Sequence, residues 1–177
     1  IGDENIAFVY SPDDKGAHSI NLSLRHYDNK VLSLSGIYHN STLPLIIGEL
    51  KLTHFPLKAG NAFIAETGAT VNGYLDGVLS IKGPTDDIIS NGYIRFDSVY
   101  TEIPAVGTRL HLVDDKVEIK ANRLLFKNFD IYAKGATPFK INGEVDFNKF
   151  TNPKFDLRMQ ARNYELIIEN ANVELHL

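Results

Sequence analysis

Residues 68–96 constrain the fold of this chain most strongly, because they contain two long segments of alternating polarity. Apolar residues or glycines occupy every second position from Val71 to Ile81, and the pattern resumes at Ile94 and Phe96 after a polar loop. Side chains of a β-strand alternate between the two faces of a sheet. The stretch therefore predicts two long strands, each with one apolar and one polar face.

The same alternation continues along most of the chain. It predicts strands over residues 6–10, 18–27, 31–39, 45–53, 70–82, 91–100, 106–113, 116–121, 123–134, 139–149, 154–162 and 164–177. One short helix, of two or three turns at most, is expected near 56–66. Short polar connectors such as Asp114-Asp115-Lys116 favour antiparallel neighbours, because parallel strands need a long crossover. The sequence thus predicts an all-β antiparallel meander of about a dozen strands.

Composition limits the classes of function. The 177 residues fit one domain, and 44% apolar with 23% charged residues is typical of a folded protein. The net charge of −4 and the scattered basic residues argue against a nucleic-acid partner. Cysteine is absent, which excludes disulfides and thiolate chemistry. The chain begins with Ile1, and we expect a fragment of a longer protein with any targeting segment removed.

Motifs that carry chemistry are missing. The sequence has no phosphate-binding glycine loop and no nucleophile elbow. The six histidines are scattered, without the spacing of a helical zinc motif, and paired aspartates such as Asp86-Asp87 are typical of turns. We therefore expect no enzyme activity, no cofactor and no metal site.

The apolar face of such a sheet has to be covered. A second sheet, closure into a barrel, or a bound ligand would each cover it. On the residues alone, the core of a closed β-sandwich is the favoured interpretation. Gly73 and Gly77, which share the predicted apolar face, are expected to allow bending or the close approach of another backbone.

Several segments in order resemble the TamB family of translocation and assembly module proteins, in its form from the Bacteroides group. They are residues 55–64 (FPLKAGNAFI), 71–84 (VNGYLDGVLSIKGP), 89–96 (ISNGYIRF), 113–119 (VDDKVEI), 125–132 (LFKNFDIY), 141–147 (INGEVDF) and 155–166 (FDLRMQARNYEL). The resemblance covers roughly residues 44–170, whereas residues 1–43 fit only by their strand alternation.

The resemblance implies a fold and a function. Residues 1–177 would form one β-rich TamB-like domain, curved into an open half-pipe (the β-taco) with an apolar concave face. The family is periplasmic, anchored in the inner membrane, and meets an outer-membrane barrel of the TamA/BamA kind. Its members support outer-membrane biogenesis by conducting phospholipid or by chaperoning outer-membrane β-barrel proteins and autotransporters. The alternative is a closed β-sandwich that serves as an adhesion or spacer module.

We expect phospholipid, or unfolded outer-membrane β-strands, to bind along the apolar face of this sheet. Its predicted members are Leu75, Leu79, Ile81, Ile94, Phe96, Leu110, Leu112, Ile119, Ile131, Ile141, Val145, Phe147, Phe155, Leu157 and Met159.

Overall fold

The computed structural model describes residues 4–14, 16–61, 66, 68–103, 108–133, 137–149 and 151–161. They form one open antiparallel sheet of ten strands in sequence order, which confirms the predicted all-β meander. The strands are β1 (Glu4–Pro12), β2 (Ala17–His26), β3 (Asn29–His39), β4 (Leu45–Pro56), β5 (Thr70–Pro84), β6 (Ile89–Ile103), β7 (Thr108–Lys120), β8 (Arg123–Ile131), β9 (Phe139–Asp146) and β10 (Lys154–Gln160). A 3₁₀ helix, η1 (Leu57–Gly60), follows β4.

Tight turns set the registers of the hairpins. Ala121 and Asn122 connect β7 to β8, and both have positive φ, +47° and +59°. A two-residue turn with two positive φ angles is the type I′ turn, whose twist matches that of the flanking strands. Asn122 also joins this turn to other strands, since its Nδ2 donates to the carbonyl of Ile88 at 2.7 Å and its Oδ1 accepts from the Ser90 N–H at 2.6 Å.

One predicted turn differs from the structure. The Asp114-Asp115-Lys116 segment is not a turn, because β7 runs unbroken from Thr108 to Lys120. Its carboxylates bind neighbouring strands instead: Asp114 pairs with Arg95, and Asp115 accepts the backbone N–H of Asp130. The predicted short helix near 56–66 begins with the 3₁₀ helix Leu57–Gly60. Residues 62–65 and 67, and the predicted strand 164–177, lie outside the described residues.

The sheet is open along its whole width. β1 pairs only with β2 and β10 only with β9, so the described strands leave two free edges and do not close. Extensive contacts run between consecutive strands rather than between layers. The closed β-sandwich is therefore wrong as an architecture, because the described residues contain no second sheet to pack on the first. The half-pipe curvature stays a prediction.

Candidate functional site

The ladder registers bring the predicted apolar residues to one face of the sheet. Partners directly opposite each other in antiparallel strands share a face. Leu50 lies opposite Leu79, Phe96 lies opposite Leu75, and the relation extends strand by strand to both edges. We call this the apolar face; of the predicted members, it includes Leu75, Leu79, Ile81, Ile94, Phe96, Leu110, Leu112, Ile119, Ile131, Ile141, Val145, Phe155, Leu157 and Met159. Phe147 follows the last residue of β9.

The apolar face also includes residues of β1–β4 that the predicted site omits. Ile6 lies opposite Leu24 and Phe8 opposite Leu22, and both pairs are in register with the apolar residues of β3. The same alternation marks these strands in the sequence.

Bulges keep the apolar residues on one face where their spacing along the chain changes. The ladder shifts between Leu52 and Phe55 in β4, and between Phe126 and Phe129 in β8. Two residues that are three positions apart point to opposite faces of a regular strand. The extra residue of a bulge returns both side chains to the same face. The bulges contain His54 (φ +47°) and Asn128 (φ +51°), conformations that non-glycine residues seldom adopt.

Polar side chains satisfy the backbone donors that these bulges remove from the ladder. Asp76 Oδ1 accepts the N–H of His54 at 2.8 Å, and Asn142 Oδ1 accepts the N–H of Asn128 at 2.8 Å. A buried or half-buried N–H without a partner costs stability. Carboxylates and amides that look like ordinary surface residues in the sequence therefore have defined structural roles.

Glycines on the apolar face lie against the backbone of the next strand, as predicted for Gly73 and Gly77. A Cβ on Gly77 would lie 2.6 Å from the carbonyl oxygen of Tyr93. A Cβ on Gly92 would overlap the carbonyl oxygen of Val78. The strands approach each other too closely at these points for any side chain, which fixes where the sheet can bend.

No second layer of described residues covers the apolar face. The buried apolar side chains of the described residues are only Val31, Val99, Val117, Ile119 and Phe129. By contrast, Phe8 is 62% exposed, Phe155 is 67% exposed and Met159 is 56% exposed. Large exposed apolar patches on a protein surface mark sites of interaction with apolar partners. The exposed parts of this face are therefore candidate surfaces for such a partner.

The opposite face, which we call the polar face, has charged side chains in cross-strand pairs. Lys127 Nζ lies 3.0 Å from Glu118, and Lys140 Nζ lies 2.7 Å from Asp130. Hydrogen bonds from Lys127 and Lys116 hold the pKa of Glu118 below its usual range. The Lys127–Glu118 pair is exposed, and such pairs contribute little to stability, whereas the Lys140–Asp130 pair is part-buried. These charged pairs make the polar face distinct from the apolar face on the other side of the sheet.

One cluster on the polar face was not predicted from the sequence. Asp76 and Asp97 stand on adjacent strands, and the β4 bulge brings His54 to them. His54 Nδ1 lies 3.9 Å from Asp97 Oδ2, and its ring stacks on Tyr74 with centroids 3.6 Å apart. The three residues are 22 and 21 positions apart in the sequence, so no local spacing could indicate the cluster.

A cleft lies beside this cluster at the end of the sheet. The paired part of β3 and β4 ends at Leu32 and Leu52, and beyond it the two chain segments diverge. The space between them has a volume of about 880 Å³ and is lined by His26, Tyr27, Asn29, Lys30, Val31, Thr53, His54, Pro56, Lys58, Ala59, Asn72, Gly73 and Tyr74. His54 and Tyr74 thus belong to both the cluster and the cleft.

Comparisons with known proteins leave the family open. No protein-family model, no curated protein and no solved structure matches this chain. Within the described residues, none of the helical structure is long and apolar enough to cross a membrane. The resemblance to TamB consequently stays a prediction that depends on the motifs of the sequence.

Proposed function

We propose that this chain is a non-enzymatic segment of a periplasmic, TamB-like protein and that it conducts phospholipid along its apolar face. The observation that carries the proposal is the apolar face itself, which extends from β1 to β10 without a covering layer of described residues. A closed core would instead have buried these side chains. The order of the family motifs in the sequence supports the same conclusion.

The physical basis of conduction is acyl-chain burial. Each methylene group that leaves water contributes about 0.8 kcal/mol. Half-exposed side chains such as Ile20 and Leu34, which are 38% and 37% exposed, can gain apolar contacts from an acyl chain. Contacts of this kind are non-directional, so a chain could slide along the face while it keeps most of its contact area.

A second candidate function follows from the free edges of the sheet. The outer N–H and C=O groups of β1 can pair with an added strand, as in recognition by β-strand addition. Ile6 in this strand is 73% exposed and Phe8 is 62% exposed, so an added strand would also find apolar contacts. An unfolded outer-membrane β-strand has the alternating pattern to use both features. In the full-length protein, the proposed partner is an outer-membrane barrel of the TamA/BamA kind.

Site-specific photo-crosslinking tests the lipid proposal. A photoreactive residue is placed at Ile20 on the apolar face and, as a matched control, at Asn21 on the polar face. Both positions are exposed neighbours in β2. Leu79 and Ser80 in β5 provide a second such pair. The protein is incubated with vesicles of phosphatidylethanolamine and phosphatidylglycerol, and lipid adducts are measured by mass spectrometry.

We expect lipid adducts at Ile20 and Leu79 and few at Asn21 and Ser80. Equal labelling of the two faces, or no labelling, would contradict conduction along the apolar face. A parallel incubation with a urea-unfolded outer-membrane β-barrel protein tests the second candidate. Adducts between a photoreactive residue in β1 and that protein, without lipid adducts, would favour the chaperone function. If neither kind of adduct forms, a role as a spacer is favoured instead.

A further inference from the structure

The His54 cluster is built by three strands at the place where two of them bulge. The β4 bulge turns the His54 side chain towards β5, and the ladder between β5 and β6 shifts between Asn72 and Tyr74. The His54 N–H is held by Asp76 Oδ1 at 2.8 Å. Stacking on Tyr74, with an interplanar angle of 13°, fixes the orientation of the imidazole ring. The donor atoms are therefore positioned by backbone geometry and by packing.

We propose that His54, Asp76 and Asp97 form a binding site for a divalent transition metal ion such as Zn²⁺. One ligand atom from each residue lies within 4.8 Å of the other two. By triangle geometry, some point then lies within about 2.8 Å of all three atoms, while Zn²⁺ needs ligand distances of about 2.0–2.2 Å. Side-chain rotations that move each ligand atom by less than about 1 Å would complete the site. The side chains of His54 and Asp97 are 58% and 36% exposed, and have room to move.

The charges around the cluster favour a cation. Asp97 lies directly opposite Asp114 in the ladder, and like charges opposite each other are destabilising. Arg95, which lies opposite Asp76 in the ladder, pairs closely with Asp114 and interacts more weakly with Asp97 and Asp76. One guanidinium charge is therefore shared among three carboxylates. A bound dication would offset this repulsion. His54 does not supply the missing charge as a metal ligand, because imidazole coordinates in its neutral form.

The donor set selects the class of metal. Imidazole nitrogen with two carboxylates suits Zn²⁺ and similar ions, whereas Ca²⁺ and Mg²⁺ prefer oxygen ligands alone. Three protein ligands leave a coordination position for water or a small ligand. Because His54 and Tyr74 line the cleft of about 880 Å³, that position would be accessible from the cleft. This inference does not depend on the proposed lipid function.

Isothermal titration with ZnCl₂ on the full 177-residue chain tests the site. His54→Asn removes the imidazole, and asparagine tolerates the positive φ of this position. His111→Asn is the matched control, because His111 stacks on Tyr100 with centroids 3.9 Å apart and belongs to no such cluster among the described residues. We expect one equivalent of Zn²⁺ to bind the wild type and the control. Affinity should fall by at least about 100-fold in His54→Asn, beyond the loss expected for an outer-shell partner.

Asp97→Asn provides a second variant that keeps the shape of the side chain, and circular dichroism checks that each variant is folded. The proposal is overturned if the wild type binds no Zn²⁺, or if His54→Asn and Asp97→Asn bind it as tightly as the control. Titration with CaCl₂ completes the test. Calcium bound as tightly as zinc, and equally in His54→Asn, would mean that the carboxylates alone attract cations, and would also overturn the site.

Discussion

The strands β1–β3 and the strands β6–β8 present the same apolar face in two different states. In β1–β3 many apolar residues are exposed, with Ile6 at 73% and Tyr10 at 51%, although Val31 at the start of β3 is buried. In β6–β8 the corresponding residues include Val99, Val117 and Phe129, each only 5% exposed. Neither region is covered by a second sheet of described residues. Among the described residues, only those of the sheet itself can cover the central region.

Bulges and aromatic residues account for this difference. The Phe129 ring packs edge-to-face against Phe96 and against Phe126, with centroids 5.6 and 5.5 Å apart. Phe96 and Phe129 belong to strands separated by β7, so their rings lean towards each other across it. The only register shift among the described residues of β1–β3 lies between Leu24 and Arg25, next to the β2–β3 turn. Their ring contacts, Tyr10 with His18 and His18 with Tyr38, have centroids 6.0 Å apart and run through an imidazole instead of phenylalanine rings.

The comparison divides the predicted binding residues into two groups. Ile119, which is 6% exposed, supports the sheet and has little surface left for a ligand. Phe155 and Met159 near the β10 edge, and the omitted residues of β1–β3, have most of the available surface. We therefore expect a lipid to contact the two flanks of the face more than its centre.

The largest effect should come from removing the aromatic centre. Phe129→Ala should lower the free energy of unfolding by about 3–5 kcal/mol, as for other buried phenylalanines. Phe8→Ala removes an exposed ring and should change stability by less than about 0.5 kcal/mol. Urea unfolding followed by circular dichroism measures both values. Similar losses in the two variants would mean that the flank and the centre do not differ in packing.

Glycine substitutions should separate the regions by a smaller amount. Gly92→Ala places a methyl group against the carbonyl of Val78 in the centre, at a φ of +154°. We expect a loss of about 2–3 kcal/mol from strain and overpacking. Gly36→Ala in β3 is the control, because its Cβ would lie an ordinary 3.5 Å from the Ile47 carbonyl. Thermal and urea unfolding should show little change for this variant, and a large loss there would contradict the comparison.

Much of the fold could be predicted from residue alternation, and the bulges mark where that prediction stops. The polar segment Asp114-Asp115-Lys116 predicted a turn between two strands, although Leu110 and Leu112 before it are even-numbered and Val117 and Ile119 after it are odd-numbered. The structure keeps all four on the apolar face of one strand, β7. The sequence contains no glycine or proline there to indicate the irregularity. The irregularity follows the neighbouring strand β6, because the β6–β7 ladder runs through this segment without a shift while β6 has an extra residue at Ser98 (φ +50°) relative to β5.

The two candidate sites, the apolar face and the His54 cluster, also differ in how far the sequence predicts them. The apolar face could be read from the sequence because each strand carries its own alternation. The His54 cluster could not, since His54, Asp76 and Asp97 meet only through the β4 bulge and the register of three strands. The extent to which the apolar face is covered could not be predicted from the sequence either. It depends on contacts such as that of Phe96 with Phe129 across an intervening strand.

The smallest expected effect is a pH dependence from the central region, where Asp115 is half-buried. Burial raises the pKa of the Asp115 carboxyl above its usual range, although the Asp130 N–H bonded to it acts in the opposite direction. The charges that face it are Asp130, Asp114 and Lys140. Because the folded state binds this proton more tightly than the unfolded state, its contribution to stability is present at low pH. That contribution is lost as the pH rises from about 4.

Asp115→Asn removes this titration while its amide oxygen can still accept the Asp130 N–H. The variant should therefore gain stability relative to the wild type as the pH rises from about 4 towards neutrality. Asp114→Asn is the opposing control, because the hydrogen bond from Arg95 lowers the pKa of Asp114 and its contribution is lost as the pH falls. Urea unfolding at a series of pH values between about 3.5 and 7 measures the two differences. Parallel pH profiles for the wild type and Asp115→Asn would mean that Asp115 is solvated like the residues of the flanks.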